Sequence, residues 1–187
     1  MEKIGFFGGC FNPPNNLHIE IANNLINNKK IDKVIFVPVN DYYKKEGLIE
    51  AKHRYNMLEL AVKNYKNLEV DDIELKENRK LYAIDAFEII QNSKFITDNN
   101  KNNIIFIMGS DNYEQMPKWK DYDTIKNKYN FIVINRNKDD ITSTKIRELL
   151  NNDINLARQY LPEGVYNYIV KNKLYKWRFV IEYCNIV

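Results

Sequence analysis

Cysteine is scarce: Cys10 and Cys184 stand at opposite ends of 187 residues, which leaves no material for a disulfide framework or a cysteine metal site. Long apolar runs are also missing. The longest, such as Ile104 to Met108 and Phe131 to Ile134, fall far short of the ~20 residues that a bilayer span requires. Met1-Glu2-Lys3 passes straight into a short apolar segment and a Gly-Gly turn, without the apolar core of a secretory leader. Charge of one sign is lacking too. Lys and Arg number 28 against 25 Asp and Glu, and the resulting +3 is too small for a nucleic-acid coat protein or a polybasic membrane binder. No internal repeat and no linker-like boundary interrupts the chain. These absences predict a soluble, cytoplasmic protein with one domain over residues 1–187, long enough to bury a sizeable core.

Asparagine is abundant instead, with 28 copies, many of them doubled, as in Asn15-Asn16 and Asn102-Asn103. A prion-like tract would concentrate these in one block, whereas here they are scattered between well-patterned segments. The composition fits a coding sequence rich in A and T and implies no function.

Short apolar strands alternate with amphipathic helices. Strands are expected at Ile4 to Phe7, Val34 to Val37, Ile104 to Met108 and Phe131 to Ile134, with a further extended stretch from Leu68 to Leu75. Helices are expected at about His18 to Asn28, Ala51 to Asn64, Tyr82 to Ile90, Tyr122 to Lys128, Ser143 to Leu150, Ile154 to Tyr160 and Glu163 to Lys171. Pro162 suits a helix start, where its missing N–H costs nothing. This alternation predicts an α/β domain with a doubly wound, mostly parallel sheet, followed by C-terminal helices over 142–175 and an extra tail over 176–187. In such sheets ligands bind beyond the carboxyl ends of the strands, so the informative residues lie just after them.

The first such loop runs Gly8-Gly9-Cys10-Phe11-Asn12-Pro13-Pro14-Asn15-Asn16-Leu17-His18. Two glycines permit close backbone approach to a ligand, and the following helix offers free N–H groups to an anion. The loop lacks the third glycine of a dinucleotide fingerprint and the Gly-Lys-Ser/Thr of a Walker loop. Taken alone, it is compatible with either a structural turn or a phosphate site. The last loop, Asp140-Ile141-Thr142-Ser143-Thr144-Lys145-Ile146-Arg147-Glu148, opens a helix that Thr142 or Ser143 can cap. Three consecutive hydroxyls with Lys145 and Arg147 exceed what a cap needs and describe a polyphosphate cradle.

Together these loops resemble the nucleotidyltransferase superfamily with its His-x-Gly-His-type loop and late Ser-Ser-Thr-x-x-Arg helix. Within it the chain most resembles the bacterial nicotinate-nucleotide adenylyltransferases. Four more stretches carry the likeness: Phe36-Val37-Pro38 with Asn40 and Lys45; Arg54 with Met57-Leu58-Glu59-Leu60-Ala61; Arg79 with Tyr82 and Asp85; and Gly109-Ser110-Asp111 with Pro117 and Trp119. The likeness runs in order to Tyr175. It implies a Rossmann-like nucleotidyltransferase fold. The reaction implied is attack of a mononucleotide phosphate on the α-phosphorus of ATP, releasing pyrophosphate, with Mg²⁺ carried by the ATP and no metal-ligating protein side chains. By position, His18, Asn15, Lys45 and Arg147 would be catalytic. Gly8, Gly9, Cys10, Phe11, Gly109, Asp111, Ser143, Thr144 and Arg147 would bind ATP. Asn40, Lys45, Arg54, Tyr82, Ala83 and Trp119 would bind the mononucleotide, with Trp119 stacked on the pyridine ring. The partners implied are ATP and a pyridine mononucleotide, not nucleic acid or a membrane, with homo-oligomer formation left open.

The chain departs from that pattern in three places. Cys10, Asn12, Asn15 and Leu17 stand where the family has Thr, Asp, its first His and Gly. Asn15 donates a neutral hydrogen bond but cannot become cationic, and loss of one such donor typically costs ~10²–10³ in rate. Leu81-Tyr82-Ala83 replaces Ser-Tyr-Thr in the pyridine site. Only Asn137 to Asp140 bridge a connection that usually contains a strand. The expected function is therefore adenylyl transfer to nicotinate mononucleotide, at a reduced rate. The alternatives are transfer to nicotinamide mononucleotide or another small phosphate, and a non-catalytic nucleotide-binding homologue.

Overall fold

The computed structural model describes residues 2–135 and 140–175. Residues 136–139, which make up most of the shortened connection, and the tail 176–187, where the sequence suggests an added strand, lie outside the described residues.

Five strands form one sheet: β1 (Ile4–Gly9), β2 (Lys33–Pro38), β3 (Leu68–Val70), β4 (Ile104–Gly109) and β5 (Asn130–Ile134). All pairings are parallel and the order is β3-β2-β1-β4-β5. The chain thus winds outward from β1 to β3, then returns across β1 to build β4 and β5. The reversal places the topological switch point between the carboxyl ends of β1 and β4, at Gly8-Gly9 and Gly109.

Near-continuous apolar strands follow from burial on both faces. Phe7, Val34, Phe36 and Ile107 point to one side, where they pack with α1 (Asn16–Asn27), α2 (Ala51–Val62), α6 (Ser143–Asn152), α7 (Ile154–Gln159) and α8 (Glu163–Asn172). Phe6, Ile35, Val37, Phe106 and Met108 point to the other, against α3 (Ala83–Ile90) and α5 (Tyr122–Lys128). Phe6, Val34, Ile35, Phe36 and Val37 are wholly buried, and each contributes about 1.5–3 kcal/mol of transfer free energy. Among the described residues no helix is long and apolar enough to cross a membrane.

Two stretches differ from the sequence reading. The extended segment expected over 68–75 stops at Val70, and Ile73–Lys76 is a 3₁₀ turn. Asp71-Asp72 carries no apolar residue that could continue the sheet, so the chain turns back over the end of β2. After β4 a short helix, α4 (Ser110–Gln115), and a 3₁₀ turn with Pro117 replace the expected loop.

Candidate active site

β1 delivers Gly8 and Gly9 to the switch point. A Cβ at Gly8 would stand in open space facing the cleft, and one at Gly9 would come within 3.1 Å of the Phe11 ring. Phe11 takes φ 45°, a left-handed conformation uncommon for a bulky residue. That backbone turn sends its ring inward, where it packs edge-on against Phe7, Phe36 and the His18 imidazole. Phe11 therefore forms part of the cleft wall but anchors the loop in the core, with 3 % of its surface exposed.

Asn15 caps α1 and is reciprocally bonded to His18. Its Oδ1 accepts the His18 N–H at 3.1 Å, while its own backbone N–H donates to His18 Nδ1 at 3.1 Å. Nδ1 is thus an acceptor, which leaves Nε2 as the N–H of the neutral ring. The side-chain amide nitrogen of Asn15 donates to none of the described residues, and Asn15 lines the cleft.

The second loop is bolted onto the first. Thr142 Oγ1 caps α6 by accepting from Lys145 N–H. Ser143 Oγ donates to the Pro13 carbonyl at 2.9 Å. Arg147 reaches the Asn12 carbonyl through Nη1 (2.8 Å) and Thr144 Oγ1 through Nη2 (3.3 Å). Asn12 is the hub of this junction. Its Nδ2 donates to Gly47 O at 2.8 Å, and its Oδ1 accepts from the Tyr175 hydroxyl at 2.9 Å and from Ile49 N–H. Burial drives the Tyr175 phenol far above its ordinary range, so it remains a neutral donor. Four segments distant in sequence meet at one buried residue.

Arg54 corrects the sequence reading, which set it among the residues that bind the mononucleotide. It is wholly buried and absent from the cleft wall. Nε donates to Ile49 O (2.9 Å), Nη1 to Cys10 O (3.1 Å) and Nη2 to Val39 O (2.7 Å), with Asp41 at 3.7 Å. The guanidinium fork closes three loops on one another instead of facing solvent. Asn40 is a smaller clip of the same kind: its amide donates to Glu77 O and Arg79 O and accepts from Tyr42 N–H. Unlike Arg54, it also borders the cleft.

The cleft itself measures about 880 Å³, near the upper end of typical small-molecule sites and roomy enough for two joined nucleotides. Gly8, Gly9, Cys10, Lys45, Gly109, Asp111, Ser143 and Thr144 all line it, with Leu17. Trp119, the exposed ring of Tyr82 and Ala83 line it as well. Lys80 and Lys120 hold their ammonium groups 5.4 and 5.3 Å from the Tyr82 ring centroid. Burial pushes the Cys10 thiol up despite Lys45, Arg54 and Arg147 nearby, so it stays protonated rather than nucleophilic.

Every residue assigned from the sequence except Arg54 borders this cleft. Among the residues that shape it and escaped that reading are Glu74, Lys80, Lys118 and Lys120. Glu74 sits on the unexpected 3₁₀ turn, between Ile73 and Leu75, where strand alternation gave no reason to turn a carboxyl inward. The lysines could have been found as cations flanking the aromatic pair.

Comparison with known proteins agrees with this geometry. Residues 6–149 match the cytidylyltransferase-like family. A protein of Lactococcus lactis described as "Probable nicotinate-nucleotide adenylyltransferase" is 33% identical over 95% of this chain and 97% of its own length. The nicotinate-nucleotide adenylyltransferase of Bacillus subtilis is 28% identical over 94% of this chain and all of its own. Among solved structures, the Plasmodium falciparum nicotinic acid mononucleotide adenylyltransferase complexed with NaAD superposes with a TM-score of 0.75, covering 95% of this chain and 99% of that one. At 21% identity the last comparison speaks to the fold alone. A cleft at the β1–β4 switch point, a glycine loop leading to His18 and a late helix opening Thr142-Ser143-Thr144 therefore sit in a chain that belongs to the nicotinate-nucleotide adenylyltransferase family of nucleotidyltransferases.

Proposed function

We propose that the protein transfers the adenylyl group of ATP to nicotinate mononucleotide, forming deamido-NAD and pyrophosphate. The observation that carries this reading is the junction of the two loops, which directs hydrogen-bond donors from both into one cleft. A phosphate oxygen of the mononucleotide attacks the α-phosphorus, the new P–O bond forms, and the bond to the bridging oxygen breaks with its electrons leaving on pyrophosphate. The nucleophile is already an anion, so no strong base is needed, and catalysis is positioning plus charge stabilisation. His18, a neutral donor through Nε2, faces the transferring phosphoryl group. The first N–H groups of α6, at Ser143 and Thr144, hold the triphosphate. Arg147 spends one N–H donor on the Asn12 carbonyl and one on Thr144 of its own helix, which leaves three of its five for phosphate oxygens. Lys45 adds charge at the point of attack, and Asn15 contributes the neutral donor described above. Gly109 and Asp111 border the adenosine.

Divalent metal enters as the ATP complex. Among the described residues the cleft carries two carboxyl groups, Asp111 and Glu74, and no group of three potential ligands occurs. Mg²⁺ suits such a site because it keeps water and phosphate oxygens as ligands. Trp119 and Tyr82 offer faces to the pyridine ring. Lys80, Lys118 and Lys120 line the same cleft, and their charge favours the carboxylate of nicotinate over the neutral carboxamide of nicotinamide.

The test is pyrophosphate release with ATP, Mg²⁺ and either mononucleotide. Turnover is expected with nicotinate mononucleotide and slower turnover with nicotinamide mononucleotide, with a loss of ~10²–10³ in rate for His18→Ala. Binding of ATP without turnover on either acceptor would instead support a nucleotide-binding protein that has lost the reaction, with Asn15 and Leu17 as the altered positions.

A further inference from the structure

The mechanism above leaves one group of the cleft without a role. Glu74 is 6 % exposed, borders the cleft, and its carboxyl receives no hydrogen bond and forms no ion pair among the described residues. The cation that acts on it, Arg54 on α2, has its fork occupied by the Ile49, Cys10 and Val39 carbonyls. The wall beside Glu74 is the mononucleotide side, because Asn40 fastens the end of the same turn to the loop that carries Tyr43 and Lys45. A buried carboxylate here would repel a ligand phosphate, whereas the neutral acid could donate to it.

We propose that Glu74 binds the mononucleotide as a carboxylic acid, donating its O–H to an oxygen of the ligand. The inference rests on the adenylyl-transfer reading. The surroundings agree with a neutral acid: burial raises Glu74 to about 8, with Arg54 pulling weakly the other way. The Cys10 thiol, which feels the Glu74 charge, is itself pushed up. The acids of α3 are engaged elsewhere, Asp85 with Arg79 and Glu88 with Lys128, and Lys33 of β2 is paired with Glu69. An anion against the acid can only raise its affinity for the proton, so binding takes up a proton wherever the unliganded group is partly ionised.

The experiment is titration calorimetry of nicotinate mononucleotide into the full-length protein at pH 7, 8 and 9, in two buffers of different ionisation enthalpy. The wild type is expected to take up about half a proton on binding at pH 8, and its Kd to rise about tenfold from pH 7 to pH 9. Glu74→Gln keeps a donor without a titratable proton. It should bind within a few-fold of wild type at pH 7, with no proton uptake and no such rise in Kd, while Glu74→Ala binds more weakly than Glu74→Gln at every pH, also without that rise. A residue that merely fills space would leave wild type and Glu74→Gln with the same pH dependence, and that result would overturn the inference. Binding without proton uptake overturns it alone. Failure of the folded wild type to bind either pyridine mononucleotide overturns the adenylyl-transfer reading with it.

Discussion

Replacing Arg54 with Met separates two accounts of this residue. In the structure the guanidinium is wholly buried and its Nε, Nη1 and Nη2 each serve one carbonyl, at 2.7 to 3.1 Å. Burial lowers the guanidinium pKa, but arginine stays charged, and Asp41 at 3.7 Å supports it. Methionine fills much of the volume but leaves the Ile49, Cys10 and Val39 carbonyls without donors. Each orphaned acceptor costs about 1–3 kcal/mol, and breaking a buried charged arrangement costs about 3–5 kcal/mol in all. For a domain of this size a loss of that order lowers Tm by about 6–20 °C. Arg54→Lys should recover less than half of the loss, because one ammonium cannot span three carbonyls. Thermal denaturation by circular dichroism reads the effect, and steady-state kinetics should show KM rising for both substrates as the three loops loosen. An unchanged Tm with KM raised for one substrate, rescued by lysine, would mean that Arg54 meets a phosphate after all.

Glu74 also ties stability to pH. Its folded value of about 8 lies above the ordinary 4.5, so the stability owed to its neutral form is full below pH 4.5 and is lost as pH rises toward 8. Glu74→Gln should therefore gain on wild type by a few kcal/mol between pH 5 and pH 9 in urea denaturation, and a pH-independent difference would contradict the sign. Asn15→Ala removes both the α1 cap and a donor in the cleft. It should cost about 1 kcal/mol of stability, and by freeing His18 should lower kcat by about tenfold or more. Trp119→Ala should raise KM for the mononucleotide by about two- to tenfold, the worth of a ring contact, while KM for ATP holds. Exchanging Lys80 and Lys120 together for Met should reduce the preference for nicotinate over nicotinamide mononucleotide by up to about tenfold; an unchanged ratio of kcat/KM would remove the lysines from recognition.

The strands and helices were largely legible in the chain because burial on two faces leaves a local mark. Val34-Ile35-Phe36-Val37 reads as a buried parallel strand from its residues alone, and Tyr122–Lys128 and the start of α6 fall where periodicity and capping set them. The Gly8-Gly9 turn and the hydroxyls from Thr142 to Thr144 were likewise visible as candidates, and all of them border the cleft, since backbone space and donors are properties of short segments. Other features depend on distant residues meeting. Arg54 looked like a mononucleotide-binding residue on a helix and became a clamp because Cys10, Val39 and Ile49 bring their carbonyls to it. Asn12 differs from its family counterpart by one atom, and only the approach of Gly47, Arg147 and Tyr175 reveals it as the junction of the site. Glu74 is an ordinary surface residue until a 3₁₀ turn buries it. The sequence by itself determined the alternating elements, the sheet type and the two loops, because local geometry follows from side chains a few positions apart. Which charges are spent on the scaffold and which face the ligand was decided only by the tertiary structure, because desolvation and hydrogen-bond partners depend on what the rest of the chain packs against each group.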